Sequence, residues 1–120
     1  MEDLKERTKR FALSILRIVE TVPRGMVSDV LCRQIIRSAT SVGANYRAAC
    51  RARSRADFIS KICIVEEETD ETMYWLELLK ESGIVGNDLF HRLHREASEL
   101  LAIFIASKLT ARRNKLKTSR

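Results

Sequence analysis

Asp88, His91 and His94 are the residues whose types and spacing come closest to a metal site in this sequence. Steps of three residues place the three side chains on one face of a helix, and imidazole and carboxylate groups are common metal ligands. A di-iron helical bundle, however, needs Glu-x-x-His motifs on two helices, and no Glu-x-x-His occurs in the sequence. Arg92 and Arg95 flank the histidines, so we expect solvated imidazoles and no metal or other cofactor.

Cys32, Cys50 and Cys63 are the candidate nucleophiles. They form no CxxC pair, none has a histidine close in sequence, and each falls beside apolar helical positions, so reduced thiols lining the core are expected. The sequence also has no Gly-rich phosphate loop, GxSxG elbow or HExxH motif. We therefore expect no catalytic residues and no enzymatic activity.

Basic and acidic residues are segregated along the chain, whose formal net charge is +6. Residues 24–55 contain seven arginines and one acid, residues 57–81 contain eight acids and two lysines, and the C-terminal RRNKLKTSR adds five bases. Such an excess of positive charge can neutralise phosphates without reading base sequence. The predicted nucleic-acid-binding residues are Arg47, Arg51, Arg55, Arg112, Arg113, Lys115 and Lys117.

The same segregation has a second explanation. Arg47, Arg51 and Arg55 are spaced by four residues and predict one basic stripe on a helix, but the acids of residues 57–81 are numerous enough to pair with it. In that case the charges serve contacts within the protein or between its copies. Nucleic-acid binding and a protein-interaction scaffold therefore both stay open.

Apolar residues recur at three- and four-residue steps, which predicts four helices. The first is expected over residues 3–22, capped by Asp3 and ended by Pro23, and Ser28 is expected to cap a second over about 29–53. The predicted core positions are Leu4, Phe11, Ile15, Ile18, Val19, Val22, Leu31, Ile35, Ala39, Val42, Tyr46, Ala49, Phe58, Ile62, Val65, Thr69, Met73, Leu76, Leu79, Leu89, Leu93, Ala97, Leu100, Phe104 and Leu109.

The third and fourth helices have their own start and stop signals. Ser54 and Asp57 resemble a capping box that opens the third helix, and Gly83 marks its end. Asn87 or Asp88 is expected to cap the fourth. Four helices with short connections predict an all-α, antiparallel up-down four-helix bundle over residues 1–111, followed by a basic, frayed tail over 112–120.

The first and fourth helices are apolar on more than one stripe, and Ile103, Phe104 and Ile105 are consecutive. A bundle interior needs only about three positions in seven. The surplus predicts burial against further copies of the chain. No apolar run reaches the roughly 18 residues of a transmembrane helix, so the expected location is the cytoplasm.

The stretch RSATSVGANY, residues 37–46, places weak helix formers in the middle of the second helix. Small side chains there predict a close approach of a neighbouring helix. A polar network of Arg37 and Asn45 with Glu67 and Glu71 is expected to set the helix register, with a solvated acidic face as the alternative.

The blocks RTKRFALSI and QIIRSATSVGANYRAACRARSRADFISKICIVEEETDETMYWLELL, with the spacing of Pro23, resemble a bacterial four-helix-bundle family. That family includes proteins encoded in intervening sequences of the large-subunit ribosomal RNA gene and the accessory variability protein of retroelements. The resemblance covers about residues 4–109 and implies a left-handed bundle, a ring-like homopentamer, RNA or DNA as a ligand, and a partner protein such as a reverse transcriptase. We therefore expect a non-enzymatic, homo-oligomeric protein that binds nucleic acid, with RNA preferred.

Overall fold

The computed structural model describes the chain over residues 3–118, and its side chains over residues 3–114. Four helices follow one another in it: α1 (Leu4–Thr21), α2 (Met26–Cys50), α3 (Arg55–Glu81) and α4 (Asn87–Thr118). Each helix packs against the next one in the chain, and α4 returns to α1. Because the connections are short, successive helices run antiparallel, and the predicted all-α four-helix bundle is confirmed.

Two helix starts follow the predicted capping chemistry. The Asp3 carboxylate accepts a hydrogen bond from the Lys5 amide at 3.1 Å, at the start of α1. The Ser54 hydroxyl accepts one from the Asp57 amide at 3.0 Å, at the start of α3. Each bond satisfies one of the amide donors that the first turn of a helix leaves without a partner.

The other two helices start one turn or one residue earlier than predicted. Gly25 precedes α2, so Ser28 lies inside the helix, and the prediction of Ser28 as its cap was wrong. No side chain caps the first turn of α2 among the described residues; the Asp29 carboxylate accepts from the Gly25 amide at 3.3 Å and pairs with Arg24 at 3.1 Å. Since α4 starts at Asn87, Asn87 and Asp88 lie in its first turn rather than before it.

The predicted core is largely present. Phe11 and Ile15 of α1 meet a buried row on each of the other helices. The fully buried large side chains include Ile35, Val42, Ile62, Val65, Leu76, Leu79, Leu100 and Phe104. Leu109 is an exception at 44% exposure, because its side of α4 faces outward, whereas Ala111, two residues later, is buried.

The RSATSVGANY stretch packs as closely as its small side chains predict. Ser38 and Ala39 are fully buried, and a Cβ atom placed on Gly43 would lie 3.3 Å from the Thr8 hydroxyl oxygen of α1. The Thr72 hydroxyl of α3 lies 2.8 Å from that of Ser38. Close contact with both neighbouring helices offsets the low helix propensity of these residues, and α2 continues through them without a break.

The C-terminal part of α4 extends to Thr118. The predicted fraying of residues 112–120 stays a prediction, and residues 119 and 120 lie outside the described part of the chain. Within the described residues, no helix combines the length and apolar character needed to cross a bilayer.

Candidate nucleic-acid interface

A basic groove lies where the chain turns from α2 into α3. Arg47 lies in the last turn of α2 and Arg51 directly follows the helix, four residues later, and both side chains line this groove. Arg53 in the connection and Lys61 on α3 complete the basic lining. The groove has a volume of about 530 Å³ and is lined by Ala44, Arg47, Ala48, Arg51, Arg53, Asp57 and Lys61.

A second, smaller groove continues the first towards α1. Its volume is about 200 Å³, and it is lined by Lys5, Lys9, Ala12, Thr40, Gly43, Ala44 and Arg47. Ala44 and Arg47 belong to both grooves, so the two form one surface across α1, α2 and the start of α3. We call this surface the basic face, and its basic side chains are Lys5, Lys9, Arg47, Arg51, Arg53 and Lys61.

The acids of α3 are mostly engaged away from the basic face. Glu66 pairs with Lys108 of α4 at 2.7 Å, and Glu77 lies 3.1 Å from His94. Glu68 and Glu71 both pair with Arg37. Three further acids of α3 are exposed: Glu67, Asp70 and Glu81.

Asp57 is the acid within the larger groove, and it pairs with Lys61 at 2.6 Å. Hydrogen bonding from Lys61, with a smaller contribution from the charge of Arg53, lowers the pKa of the Asp57 carboxyl. Arg47 and Arg51 have no carboxylate within ion-pair distance among residues 3–114. Their charges are therefore available to an external anion.

The structure divides the predicted binding residues into separate groups. Arg47 and Arg51 lie together in the basic groove, whereas Arg55 starts α3 and lines a different groove, against α4. Arg112 and Arg113 are exposed on α4. The side chains of Lys115 and Lys117 lie outside the described residues.

Sequence reasoning missed four residues of the basic face. Lys5 and Lys9 come from α1, and Arg53 and Lys61 flank the acid Asp57. The four-residue spacing of Lys5 and Lys9 was a detectable signal of one helix face. Their position beside Arg47 depends on how α1 packs against α2, which spacing within one helix does not reveal.

The polar network between α2 and α3 contains only two of the four predicted residues, Arg37 and Glu71. Arg37 contacts Glu71 and lies 3.1 Å from Glu68, and the Trp75 indole donates to Glu71 at 3.2 Å. Hydrogen bonding from Arg37 holds the pKa of the Glu71 carboxyl below its ordinary value. The network therefore joins the two helices through the outer edge of their contact.

Asn45 and Glu67 stand outside this network. The Asn45 amide donates within its own helix, to the Ser41 carbonyl at 2.9 Å or the Ser41 hydroxyl at 2.7 Å. Glu67 is exposed because one residue turns a helix by about 100°, so Glu68, one position later, faces Arg37 in its place.

The predicted solvated histidine pair is also corrected. His94 is half-buried, with its ring 4.9 Å from that of Phe90 and its Nε2 atom 3.1 Å from Glu77. His91 is exposed. No group of three or more histidine, cysteine or acidic side chains within the described residues is arranged to hold a metal ion.

The cysteines are free thiols, but they do not line the core as predicted. Cys50 is exposed at the end of α2, and Cys32 and Cys63 are half-buried. Burial, with the nearby charge of Asp29, raises the pKa of the Cys32 thiol. The Cys50 position follows from the end of α2, where its helix face has passed the packed interior.

An apolar groove of about 720 Å³ lies between the start of α3 and the later part of α4. It is lined by Arg55, Phe58, Ile103, Ala106, Ser107, Thr110, Ala111 and Asn114. On the same part of α4, Ile105 and Leu109 are 41% and 44% exposed. Phe104, next to Ile105, is fully buried inside the bundle, so only part of the apolar surplus of α4 is covered by the chain itself.

Comparison with known proteins adds a family assignment to this geometry. A family model described as 23S rRNA-intervening sequence protein matches residues 3–106. A 1.70 Å crystal structure of a Bacteroides thetaiotaomicron VPI-5482 protein, described as of unknown function and from the S23 ribosomal protein family, is similar at 33% identity and a TM-score of 0.82. The similarity covers 88% of this chain and 98% of that one. No match was found among curated proteins.

Proposed function

This chain belongs to the 23S rRNA-intervening sequence protein family, and from that premise we propose that it is a non-enzymatic protein that binds RNA through its basic face. The proposed binding needs no cofactor and takes place in the cytoplasm, where bacterial ribosomal RNA is found. The family description is the reason for choosing RNA as the ligand, and the basic face is the surface that would contact it. The contacts are to phosphates, so the binding is independent of base sequence.

One observation carries this proposal. Arg47 and Arg51 are exposed and have no carboxylate partner among residues 3–114, although α3 is rich in acids. If the basic stripe served only internal pairing, acids of α3 would contact it. Within the described residues, the paired acids contact Arg37, Lys61, Lys108 and His94, and the exposed ones form no ion pair with Arg47 or Arg51. A direct ion pair with Arg47 or Arg51 therefore requires an anionic group from outside the bundle.

The proposal predicts a specific effect of removing the two arginines. Arg47→Ala/Arg51→Ala is expected to weaken binding to a structured RNA about 10–100-fold at 0.1 M salt and to reduce the slope of log affinity against log salt by about two. Fluorescence anisotropy across a salt series measures both quantities.

The matched control is Arg92→Ala/Arg95→Ala, which removes the same charge from exposed positions at the opposite end of the bundle. The control should bind RNA nearly as well as the unaltered chain. Equal losses in the two double variants would show a general charge effect and contradict an interface at the basic face. A third variant, Arg112→Ala/Arg113→Ala/Lys115→Ala/Lys117→Ala, measures the contribution of the C-terminal tail.

Self-association is the second part of the proposal. The apolar groove between α3 and α4, together with the exposed Ile105 and Leu109, offers apolar surface to another copy of the chain. This groove shares no lining residue with the two grooves of the basic face, so self-association through it is compatible with access to the RNA-binding residues. The resemblance to ring-forming relatives makes a pentamer the expected number.

Light scattering on the purified protein is expected to give five times the 13.8 kDa chain mass. Leu109→Glu should lower that mass, because it places a charge in the apolar contact, whereas Met26→Glu, at an exposed site at the other end of the bundle, should not. A chain mass of 13.8 kDa for the unaltered protein would contradict self-association.

The alternative function is a protein-interaction scaffold without a nucleic-acid partner. The exposed apolar surface of α4 favours it, and a partner protein such as a reverse transcriptase is one candidate. Absence of RNA binding at low salt, together with an intact oligomer, would favour the scaffold.

A further inference from the structure

We propose that the basic face takes double-helical RNA rather than single-stranded RNA. This inference rests on the proposed RNA binding and adds the structural class of the ligand. It depends on two independent features of the face: where the aromatic side chains of the protein lie, and how the basic side chains are distributed over three helices.

Aromatic side chains are absent from both grooves of the basic face. All seven aromatic residues of the chain lie within the described residues, so their positions can be compared with the lining of each groove. They are Phe11, Tyr46, Phe58, Tyr74, Trp75, Phe90 and Phe104. None of the seven lines either groove.

The aromatic rings lie elsewhere in the bundle, outside the two grooves of the basic face. Phe11, Phe90 and Phe104 are buried, and Phe58 lines the apolar groove against α4. Tyr46 is the aromatic residue next to Arg47, but its ring packs on Phe104 with the centroids 5.7 Å apart. Burial, with a hydrogen bond involving Cys50, raises the pKa of Tyr46 to about 12, which agrees with an enclosed hydroxyl.

Tyr74 and Trp75 pack edge-to-face on α3, and the Trp75 indole donates to Glu71. The pair is therefore beside acids rather than beside the basic face.

The absence of rings matters because single strands and duplexes offer different surfaces. Single-stranded binding proteins hold bases by stacking them on aromatic side chains. In a duplex the bases are already stacked on one another, and the protein meets phosphates and 2′-hydroxyl groups instead. The face has six basic side chains and no ring, and Lys9 and Lys61 also pair with Glu6 and Asp57 on their own helices, at 3.6 and 2.6 Å. Such a surface matches the second kind.

The basic side chains are spread across the bundle as well as along it. Lys5 and Lys9 come from α1, Arg47 from α2, Arg51 from the residue that follows α2, and Lys61 from α3. Packed helix axes lie about 8–10 Å apart, and α1 and α3 each pack against α2 but not against each other, so the face wraps around α2 with the outer two axes roughly 14 Å apart. One row of phosphates would meet only part of such a width, whereas the two strands of a double helix present phosphates over a comparable breadth.

Small residues occupy the positions between the charges. Ala12 and Gly43 lie in the smaller groove, Ala48 lies in the larger groove, and Ala44 belongs to both. Their short side chains leave the surface between the basic residues low, which allows a ribose-phosphate backbone to approach the helices. The duplex is therefore recognised through its backbone and shape.

The test compares one RNA sequence in two forms with the full-length protein. Fluorescence anisotropy is measured with a labelled 20-nucleotide strand alone, chosen to lack self-pairing, and with the same strand paired to its complement. We expect the duplex to bind at least tenfold more tightly. Equal or tighter binding of the single strand would overturn this inference and leave RNA binding intact, whereas no binding of either form at low salt would overturn the proposed function itself.

A substitution in the groove gives a second, positive readout. Ala44→Trp, at an exposed position shared by both grooves, supplies the missing stacking surface. It is expected to raise single-strand affinity about fivefold or more and to lower duplex affinity, because the ring occupies space that the ribose-phosphate backbone would use. Ala44→Leu is the control for side-chain bulk, and circular dichroism checks that all variants fold. An equal gain with Ala44→Leu would contradict the role assigned to stacking.

Discussion

Lys108→Met is expected to lower the free energy of unfolding by about 3 kcal/mol, because it leaves the Glu66 carboxylate without its cation in a largely enclosed site. The Lys108 ammonium lies 2.7 Å from Glu66 Oε2, and the two side chains are only 18% and 15% exposed. The second oxygen of the carboxylate, Glu66 Oε1, is buried and has no hydrogen-bond partner among the described residues. Lys108 is therefore the main compensation for that charge.

Urea unfolding at a fixed protein concentration measures this effect, and the concentration is held because any self-association contributes to apparent stability. The control is Lys108→Met/Glu66→Leu, which removes both charges and should recover most of the lost stability. A second comparison is Lys61→Met, which breaks the more exposed pair with Asp57 and should cost no more than about 1 kcal/mol. If Lys108→Met lowered the free energy of unfolding by a similarly small amount, water would be solvating the Glu66 carboxylate, and the prediction would be wrong.

Phe104→Ala is expected to lower the free energy of unfolding by about 3–5 kcal/mol. The Phe104 side chain is fully buried and packs against Tyr46, so it joins α4 to α2 in the interior of the bundle. Truncation removes its apolar contacts and leaves a cavity that helices held by neighbouring contacts close only in part.

The same unfolding measurement tests this prediction. Leu13→Ala is the matched control, because Leu13 is also a large apolar residue but is 42% exposed on α1. It should change stability by about 0.5 kcal/mol. Equal effects at the two positions would contradict the assignment of Phe104 to the interior and Leu13 to the surface.

The Lys108 prediction and the Arg47/Arg51 prediction together separate the charges that stabilise the bundle from those offered to a ligand. Lys108 and Arg37 are engaged by acids of α3, whereas Arg47 and Arg51 are not. Substituting Lys108 should therefore change stability more than RNA affinity, and substituting Arg47 and Arg51 should do the reverse. That contrast is the physical basis of the proposed interface.

The helices and most of the core could be predicted from the sequence because both depend on local spacing. Apolar residues at three- and four-residue steps define one face of a helix whatever its neighbours are. The caps at Asp3 and Ser54 are confirmed for the same reason, since a capping side chain reaches an amide only two or three residues away. Ser28 is not a cap because α2 starts earlier, at Met26, which places Ser28 inside its first turn.

The candidate site was predictable only within a helix. The spacing of Arg47 and Arg51 indicated a shared side of α2, and the structure places both in one groove. Arg55 has the same spacing but is separated from them by the turn before α3, which directs it to the groove against α4. Lys5 and Lys9 join Arg47 because of the register in which α1 packs on α2, and spacing within one helix does not reveal that register.

The sequence by itself determined the family, the four helices, the small residues of α2 and the excess of positive charge. The tertiary structure decided which of those charges are neutralised, because an ion pair depends on distances between side chains of different helices. A shift of one residue, about 100° around a helix, is enough to exchange Glu67 for Glu68 beside Arg37. Composition counts the acids and bases, but only helix packing determines which of them meet.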